Sequence, residues 1–279
     1  MNVSIVIPVY NEADHLAACL EAIAAQSVKP LEVIVVDNNS TDSSVVIASS
    51  FPFVKVITEK KQGVVHARNH GFNCAKGEII GRIDADTLLP NDWVARVKTV
   101  FKETNISAVS GSAHYYDFGL AGIADRIDFK LRGRLAKKLG NDNFLWGANM
   151  AVRRVAWQKV RHVLCSTSGM HEDFDLGIHL ESYGLKVAYE EKLNAGVSSR
   201  RVDTSFWSFI RYSLVSPKTY AMHGVKSGRH MYPVLFVCWL AYLPARIVYR
   251  SYDQVSGTFS IAQLFRFSSS RVDPTTNVA

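Results

Sequence analysis

The residues best suited to do chemistry are two carboxylates, Asp84 and Asp86, one residue apart at the end of the apolar run Glu78-Ile79-Ile80-Gly81-Arg82-Ile83. Ile79, Ile80 and Ile83 predict a buried strand, which Leu88-Leu89-Pro90 ends. Open α/β sheets bind ligands at the carboxyl edge of their strands. Two hard oxygen donors at that edge suit Mg²⁺ or Mn²⁺, which takes few protein carboxylates and completes its shell with water and substrate phosphates. Taken alone, the tripeptide reads first as a solvated turn with two capping Asp residues. Its context decides.

The elements around it repeat one unit. A β-branched strand, Val3–Ile7, leads through Pro8-Val9-Tyr10-Asn11-Glu12 into a helix over Ala13–Gln26, where Leu16, Ala17, Leu20 and Ile23 recur at helical spacing. A second strand, Leu31–Val36, ends in Asp37-Asn38-Asn39-Ser40-Thr41-Asp42, with Ser40 or Thr41 placed to cap a helix through Val45-Val46-Ile47. Phe53–Ile57 is a third strand, and Gly63 opens a helix that Lys76-Gly77 closes. This alternation predicts an α/β fold with a Rossmann-like, mostly parallel sheet and helices on both faces. The polar clusters all fall at strand carboxyl ends. No GxGxxG or GxxxxGK[ST] follows a strand, which argues against a dinucleotide-binding domain and a P-loop NTPase.

Further on, Asn91–Thr104 reads as a helix, Ile106–Ser110 as a strand, and Gly119–Leu139 as a helix with a basic face of Arg126, Lys130, Arg132, Arg134, Lys137 and Lys138. Phe144–Val152 reads as an apolar strand interrupted by small residues, as where a ligand approaches backbone; Trp146 and Asn149 lie within it. His171-Glu172-Asp173 precedes a helix, where acids also complement the dipole. Tyr232–Val248 is apolar but holds Pro233, Pro244 and Arg246 between Arg229 and Arg250, with Trp239, Tyr242 and Tyr249 at hand. It fits an interfacial or re-entrant membrane segment and an ordinary buried helix equally, and a full span less well. Arg271–Ala279 reads as a loose terminus.

With 48% hydrophobic residues among 279, the chain can bury a full core. Its four cysteines are far apart, so neither a zinc site nor a disulfide framework is indicated, and a reducing compartment fits. The first residues lack a basic n-region and are expected to be strand rather than a signal peptide. Residues 1–125 carry 10 Lys+Arg and 14 Asp+Glu of the chain's 32 and 25, leaving 22 and 11 for residues 126–279. The basic surface is therefore C-terminal, suited to an anionic membrane surface, a phosphorylated acceptor or nucleic acid. No nucleic-acid motif or aromatic-basic platform accompanies it.

Together these motifs resemble the inverting glycosyltransferases of family 2, with the GT-A fold. The resemblance runs through Val3 to Glu12, Glu32 to Asp42, Gly63 to Asn69, Asp84-Ala85-Asp86 and Glu172-Asp173, and covers about residues 1 to 200. It implies a UDP-, GDP- or dTDP-linked sugar donor, with base and ribose near Pro8, Tyr10, Glu12, Asp37 and Asn38. Many members carry Asp where Asn38 stands; its amide can still pair with a base. The resemblance puts Arg68 near the donor phosphates or in support of their loop, Asp84 on the donor sugar or ribose, and Asp86, with Asp84, on the Mg²⁺ or Mn²⁺. Asp173 takes the position of the catalytic base, which inverting transfer needs to deprotonate the acceptor hydroxyl. Arg200 or Arg201 would neutralise the leaving diphosphate. Trp146, Asn149 and Glu172 fall on the acceptor side.

Many members have a His after the strand that resembles Ala195–Ser199. Ser199-Arg200-Arg201 stands there instead, so either a cation takes part of the metal's role or His223 supplies a ligand. The Gln-x-x-Arg-Trp pattern of processive synthases is absent, which implies single-sugar transfer. The expected organisation is a transferase domain over 1–200 and a basic, apolar helical extension over 201–279. The expected activity is metal-dependent transfer to a lipid-linked or cell-envelope glycan, at the cytosolic face of a membrane. Two other readings are a membrane-surface binding module with an inactive transferase domain and a sugar-phosphate nucleotidyltransferase. The second normally needs an N-terminal Gly-rich basic loop, which Pro8–Glu12 is not.

Overall fold

The computed structural model describes residues 1–139, 145–254 and 256–265. Strands β1 (Val3–Val9), β2 (Glu32–Asp37), β3 (Val54–Thr58) and β4 (Ile79–Arg82) alternate with helices α1 (Ala13–Ala24), α2 (Ser44–Ser49) and α3 (Val64–Cys74). There follow α4 (Trp93–Val100), β5 (Ile106–Tyr115), α5 (Ala121–Leu139), β6 (Met150–Arg153), α6 (Arg154–Val160), α7 (Glu172–Ser182), β7 (Lys186–Val197), α8 (Phe206–Met222) and α9 (Met231–Ser251). Seven strands form one sheet in the order β3-β2-β1-β4-β6-β5-β7. It is parallel except for β6, which runs antiparallel to both β4 and β5.

Residue alternation along β1 explains why the sheet is covered on both faces. Val3, Ile5, Ile7 and Val9 pack with Leu16, Leu20 and Ile23 of α1 and Trp93 and Val97 of α4. Val6 belongs to the opposite layer, with Phe72 of α3, Trp157 of α6 and Leu176 and Leu180 of α7. Side chains such as Ile5, Leu16 and Leu20 are fully buried, each contributing roughly 1.5–3 kcal/mol.

Three local expectations change. The helix after β2 has Ser43 as its N-cap rather than Ser40 or Thr41, and Asp42 Oδ1, one residue earlier, accepts from the Ser44 amide at 2.9 Å. The helix expected over Asn91–Thr104 shortens to α4, because Asn91 belongs to a turn whose carbonyl accepts from Ser27. The strand expected over Phe144–Val152 begins only at Met150; Phe144 itself lies outside the described residues, as do Arg271–Ala279. Gly147–Asn149 is a 3₁₀ turn instead. Asn149 explains it: its Oδ1 accepts from Trp93 Nε1 at 2.8 Å, while its Nδ2 donates to the carbonyls of Ser112 at 2.9 Å and Leu193 at 2.7 Å. The fully buried amide pins α4, β5 and β7 together.

The C-terminal helices are attached through a 3₁₀ turn over Arg200–Asp203. Tyr242 donates to the Thr204 carbonyl, and Arg250 pairs with Asp203. The buried-helix reading of Tyr232–Val248 does not hold: 11% of the most apolar stretch of Lys226–Ser251 is buried. Phe236, Leu240, Leu243 and Ile247 line an exposed apolar face of α9 at helical spacing. By length and composition alone, this helix could cross a membrane.

Replacing Asn149 by Ala leaves an indole N–H and two carbonyls without their partner. We expect a loss of about 2–4 kcal/mol in urea unfolding, against less than about 0.5 kcal/mol for an exposed control such as Lys102→Ala.

Candidate active site

The carboxyl ends of β1, β2 and β4 open onto a cleft of about 690 Å³. Pro8, Tyr10, Glu12 and Asn38 line one end, with Asp84 at the floor. Trp146, Glu172, Asp173 and Arg200 also line it, so most of the residues singled out from the sequence meet in one cavity.

Its centre is a buried charge cluster. Arg82, at the end of β4, donates from Nη2 to Glu172 Oε1 at 3.0 Å and lies 3.1 Å from Asp84 Oδ1. Arg68 is fully buried beneath it, donating from Nη1 to the Glu172 carbonyl at 3.1 Å and stacking 5.5 Å from the Trp157 ring centre. It thus supports the loop rather than lining the cleft. Gly147 is required by close approach: a Cβ there would fall 1.2 Å from Arg82 Nη1. The Gly147 amide donates to Asp173 Oδ2 at 2.7 Å, and the Phe174 amide donates to Oδ1 at 2.9 Å.

Two adjacent acids are thereby driven in opposite directions. Burial alone would raise Glu172, but the guanidinium groups of Arg82 and Arg68 outweigh it and hold the carboxyl below its ordinary range. Burial, followed by the Glu172 charge, pushes Asp173 up to about 7 against the pull of Arg82 and its two amide donors. A carboxylate that gains its proton near neutral pH is matched to general-base work.

Arg200, just after β7, ties that strand's end to the segments that follow β1 and β4. Its Nη2 lies 2.7 Å from both oxygens of Glu12, and its Nε donates to Asp86 Oδ2 at 2.9 Å. Asp86 is 5% exposed, whereas the Asp84 side chain is 34% exposed and faces the cleft. Asp84, Asp86 and Glu12 supply the hard oxygen donors that Mg²⁺ or Mn²⁺ prefers. Each is already paired with an arginine, Asp84 with Arg82 and the other two with Arg200, and Asp86 does not line the cleft.

Other expected residues lie differently. Asn38 touches the cleft, but its amide is spent on the backbone: Nδ2 donates to the carbonyls of Glu59 and Lys61, and Oδ1 accepts from Gly63, whose φ is +129°. It shapes the loop beside the cleft instead of offering its amide to a base. Asp37 accepts from the Ser40 amide at 3.0 Å and does not line the cleft. Asn149 is consumed in the core, as described above, so it does not face an acceptor. The Arg201 guanidinium stacks 3.8 Å from the centre of the Tyr212 ring, and it is Tyr212 that reaches the cleft. His223 does not join the Asp84 and Asp86 group: its Nε2 is 3.0 Å from Asp175 Oδ1.

Sequence reasoning missed Arg82 and the cleft's far end. An arginine inside an apolar strand was a visible signal, since a charge there must be paired. The far end is walled by Leu131 and Leu135 of α5 and by Val234, Leu235 and Cys238 of α9. Trp146 also lines the cleft, with the Arg132 guanidinium 3.9 Å from its ring centre.

Residues 4–161 match the profile of Glycosyl transferase family 2. The chain belongs to that family. Among curated relatives it is 33% identical over 120 residues to Glycosyltransferase GlyG of Streptococcus pneumoniae, covering 41% of this chain and 40% of that one. It is 30% identical over 159 residues to Glycosyltransferase AglE of Haloferax volcanii, covering 54% and 52%. The chain thus matches about half or less of these relatives' length. The mannosyltransferase PcManGT from Pyrobaculum calidifontis, solved with GDP-Man and Mn²⁺, shares the fold with a TM-score of 0.66 at 20% identity, over 94% of this chain and 77% of that one. TarS of S. aureus, solved with UDP-GlcNAc, gives 0.53 at 16% identity, over 77% and 66%. The mixed sheet is therefore that of GT-A glycosyltransferases.

The raised Asp173 carboxyl has a consequence for stability. Between its ordinary value near 4 and about 7, the folded chain keeps a proton that the unfolded chain has released. Stability from this group therefore falls as pH rises through 7. Asp173→Asn removes that fall, so its Tm relative to wild type should rise between pH 5 and pH 8; a pH-independent difference would refute the raised carboxyl.

Proposed function

We propose that this chain is a metal-dependent inverting glycosyltransferase, moving one sugar from a nucleoside-diphosphate donor to a hydroxyl of a lipid-linked or cell-envelope glycan acceptor. One observation carries the reading: Asp173, the acid whose proton is released near neutral pH, stands in a single cleft with polar strand ends on one side and apolar helix walls on the other. The polar end is chemically suited to a nucleotide sugar. The apolar end suits a lipid-bearing acceptor.

In this reading Pro8, Tyr10 and Glu12 border the base and ribose, while Asp84 and Asp86 hold Mg²⁺ or Mn²⁺. When bound, the ion offsets charge on the departing diphosphate. Asp173 accepts the acceptor hydroxyl's proton at Oδ2 or Oδ1 as that oxygen attacks the anomeric carbon, opposite the leaving nucleotide. The Gly147 and Phe174 amides fix the carboxylate's direction. Arg82 keeps Glu172 charged, and that charge in turn raises the basicity of Asp173. Arg200 places a fixed cation beside Asp86, where it can share the developing negative charge. Trp146 offers a ring face to a sugar.

The GT-A unit over residues 1–200 would perform transfer, and residues 201–279 would hold the enzyme at a membrane surface. The exposed apolar row on α9 and the C-terminal basic excess support peripheral attachment at the cytosolic face. The donor base is open, since similarly folded neighbours were solved with GDP-Man, UDP-Glc and UDP-GlcNAc.

Nucleoside diphosphate release from UDP-, GDP- and dTDP-sugars, with Mn²⁺ or chelator and a membrane lipid extract as acceptor, tests the assignment. One donor should turn over with metal and fail with chelator, and kcat/KM should climb with pH to a plateau above about 7. Asp173→Asn should lower kcat about 10²–10⁴-fold while donor binding persists. Folded protein that binds none of these donors in the presence of metal would leave only a surface-binding module.

A further inference from the structure

Away from the cleft, Asp175 is completely buried on α7, and Oδ1 has no partner of hydrogen-bond geometry. Two imidazole nitrogens converge on that atom: Nε2 of His179, one turn along α7, at 3.3 Å, and Nε2 of His223, at the end of α8, at 3.0 Å. Neither nitrogen has a hydrogen-bond partner either. The Cys165 thiol, from the segment between α6 and α7, completes the group, and the four ligand atoms lie within 4.8 Å of one another. The other oxygen of Asp175 accepts from the Cys165 amide at 3.2 Å, which turns Oδ1 toward the histidines.

We propose that Cys165, Asp175, His179 and His223 bind a structural Zn²⁺, separate from the Mg²⁺ or Mn²⁺ of the sugar-transfer site. With metal–nitrogen and metal–oxygen bonds of about 2.0–2.1 Å, neighbouring ligands of a tetrahedron stand about 3.3 Å apart. The His179–Asp175 separation of 3.3 Å matches that edge, and the His223–Asp175 separation of 3.0 Å lies within about 0.3 Å of it. The ligand chemistry also selects the ion. A thiolate with two imidazoles suits borderline-soft Zn²⁺, while the carboxylates at Asp84 and Asp86 suit hard Mg²⁺ or Mn²⁺. Four protein ligands leave no open position, as in structural rather than catalytic zinc sites. Charge balances as well: a thiolate and a carboxylate neutralise the dication, and the thiol proton leaves to solvent on binding.

The bound ion would join the residues before α7, the body of α7 and the end of α8. The first turn of α7 carries Asp173, and α8 contributes Tyr212 to the cleft. Zinc here would fix the helix that bears the base without touching substrate. The proposal rests on this cluster and is independent of the transferase reading.

Full-length protein, produced with added zinc and dialysed into metal-free buffer without chelator, is analysed by inductively coupled plasma mass spectrometry. About one zinc per chain is expected, retained in Asp86→Asn and lowered more than about tenfold in affinity in His223→Ala and Cys165→Ser. Because either ligand variant could fold poorly, wild-type protein is also stripped and titrated with Co²⁺. Tetrahedral d–d bands with a thiolate charge-transfer band should appear, and Zn²⁺ should abolish both. The proposal is overturned by wild-type protein without zinc that gives no such Co²⁺ spectrum, or by zinc retained undiminished in folded His223→Ala and Cys165→Ser. The first of these would make the cluster a His–Asp–His network and nothing more.

Discussion

The site depends on how four charged groups share one buried space. Arg82 and Arg68 both spend their attraction on Glu172, one through its carboxylate and the other through its carbonyl. A buried ion pair is tolerable when its members satisfy one another and costly when one is removed. Glu172 therefore stays ionised, and its neighbour Asp173, buried in the same pocket, bears the cost of that charge. Consecutive residues of one helical turn acquire different chemistry because only one of them meets the guanidinium groups.

That partition relies on residues far from the acids in sequence. Arg82 can lie against the 3₁₀ turn only because residue 147 has no side chain, and the same glycine turns its amide onto Asp173. The turn is held by Asn149, whose amide ties it to α4 and to both long strands. A second bridge, from Arg200 to Glu12 and Asp86, closes the sheet's carboxyl edge from the C-terminal side. The Arg200 turn is itself anchored to α9 through Asp203 and Thr204. Polar edge and apolar helix are thus mechanically connected.

The strand and helix pattern of the first 90 residues was legible because burial on both sheet faces forces β-branched runs, and amphipathic helices repeat at 3.6. The polar strand ends were legible for the same reason, since side chains at a carboxyl edge cannot be core. Asn149 and Asn38 were not. An Asn among apolar residues has the same sequence signature whether it faces a ligand or saturates backbone groups, and only the positions of Trp93, Leu193 and Gly63 decide. The Tyr232–Val248 segment was ambiguous too, because apolar content does not say whether a partner helix covers it.

By itself, the sequence determined the α/β architecture, the family, and the identities of the acids and bases that could act, because periodicity and residue type are local properties. Tertiary structure alone decided which carboxylate would stay ionised and which would be made basic. It also decided that Arg200 would lie on Asp86, that His223 would meet Asp175, and that Cys165 would stand beside both. Those outcomes depend on distances between atoms 10 to 188 residues apart in sequence, and on how much water the fold leaves around each charge.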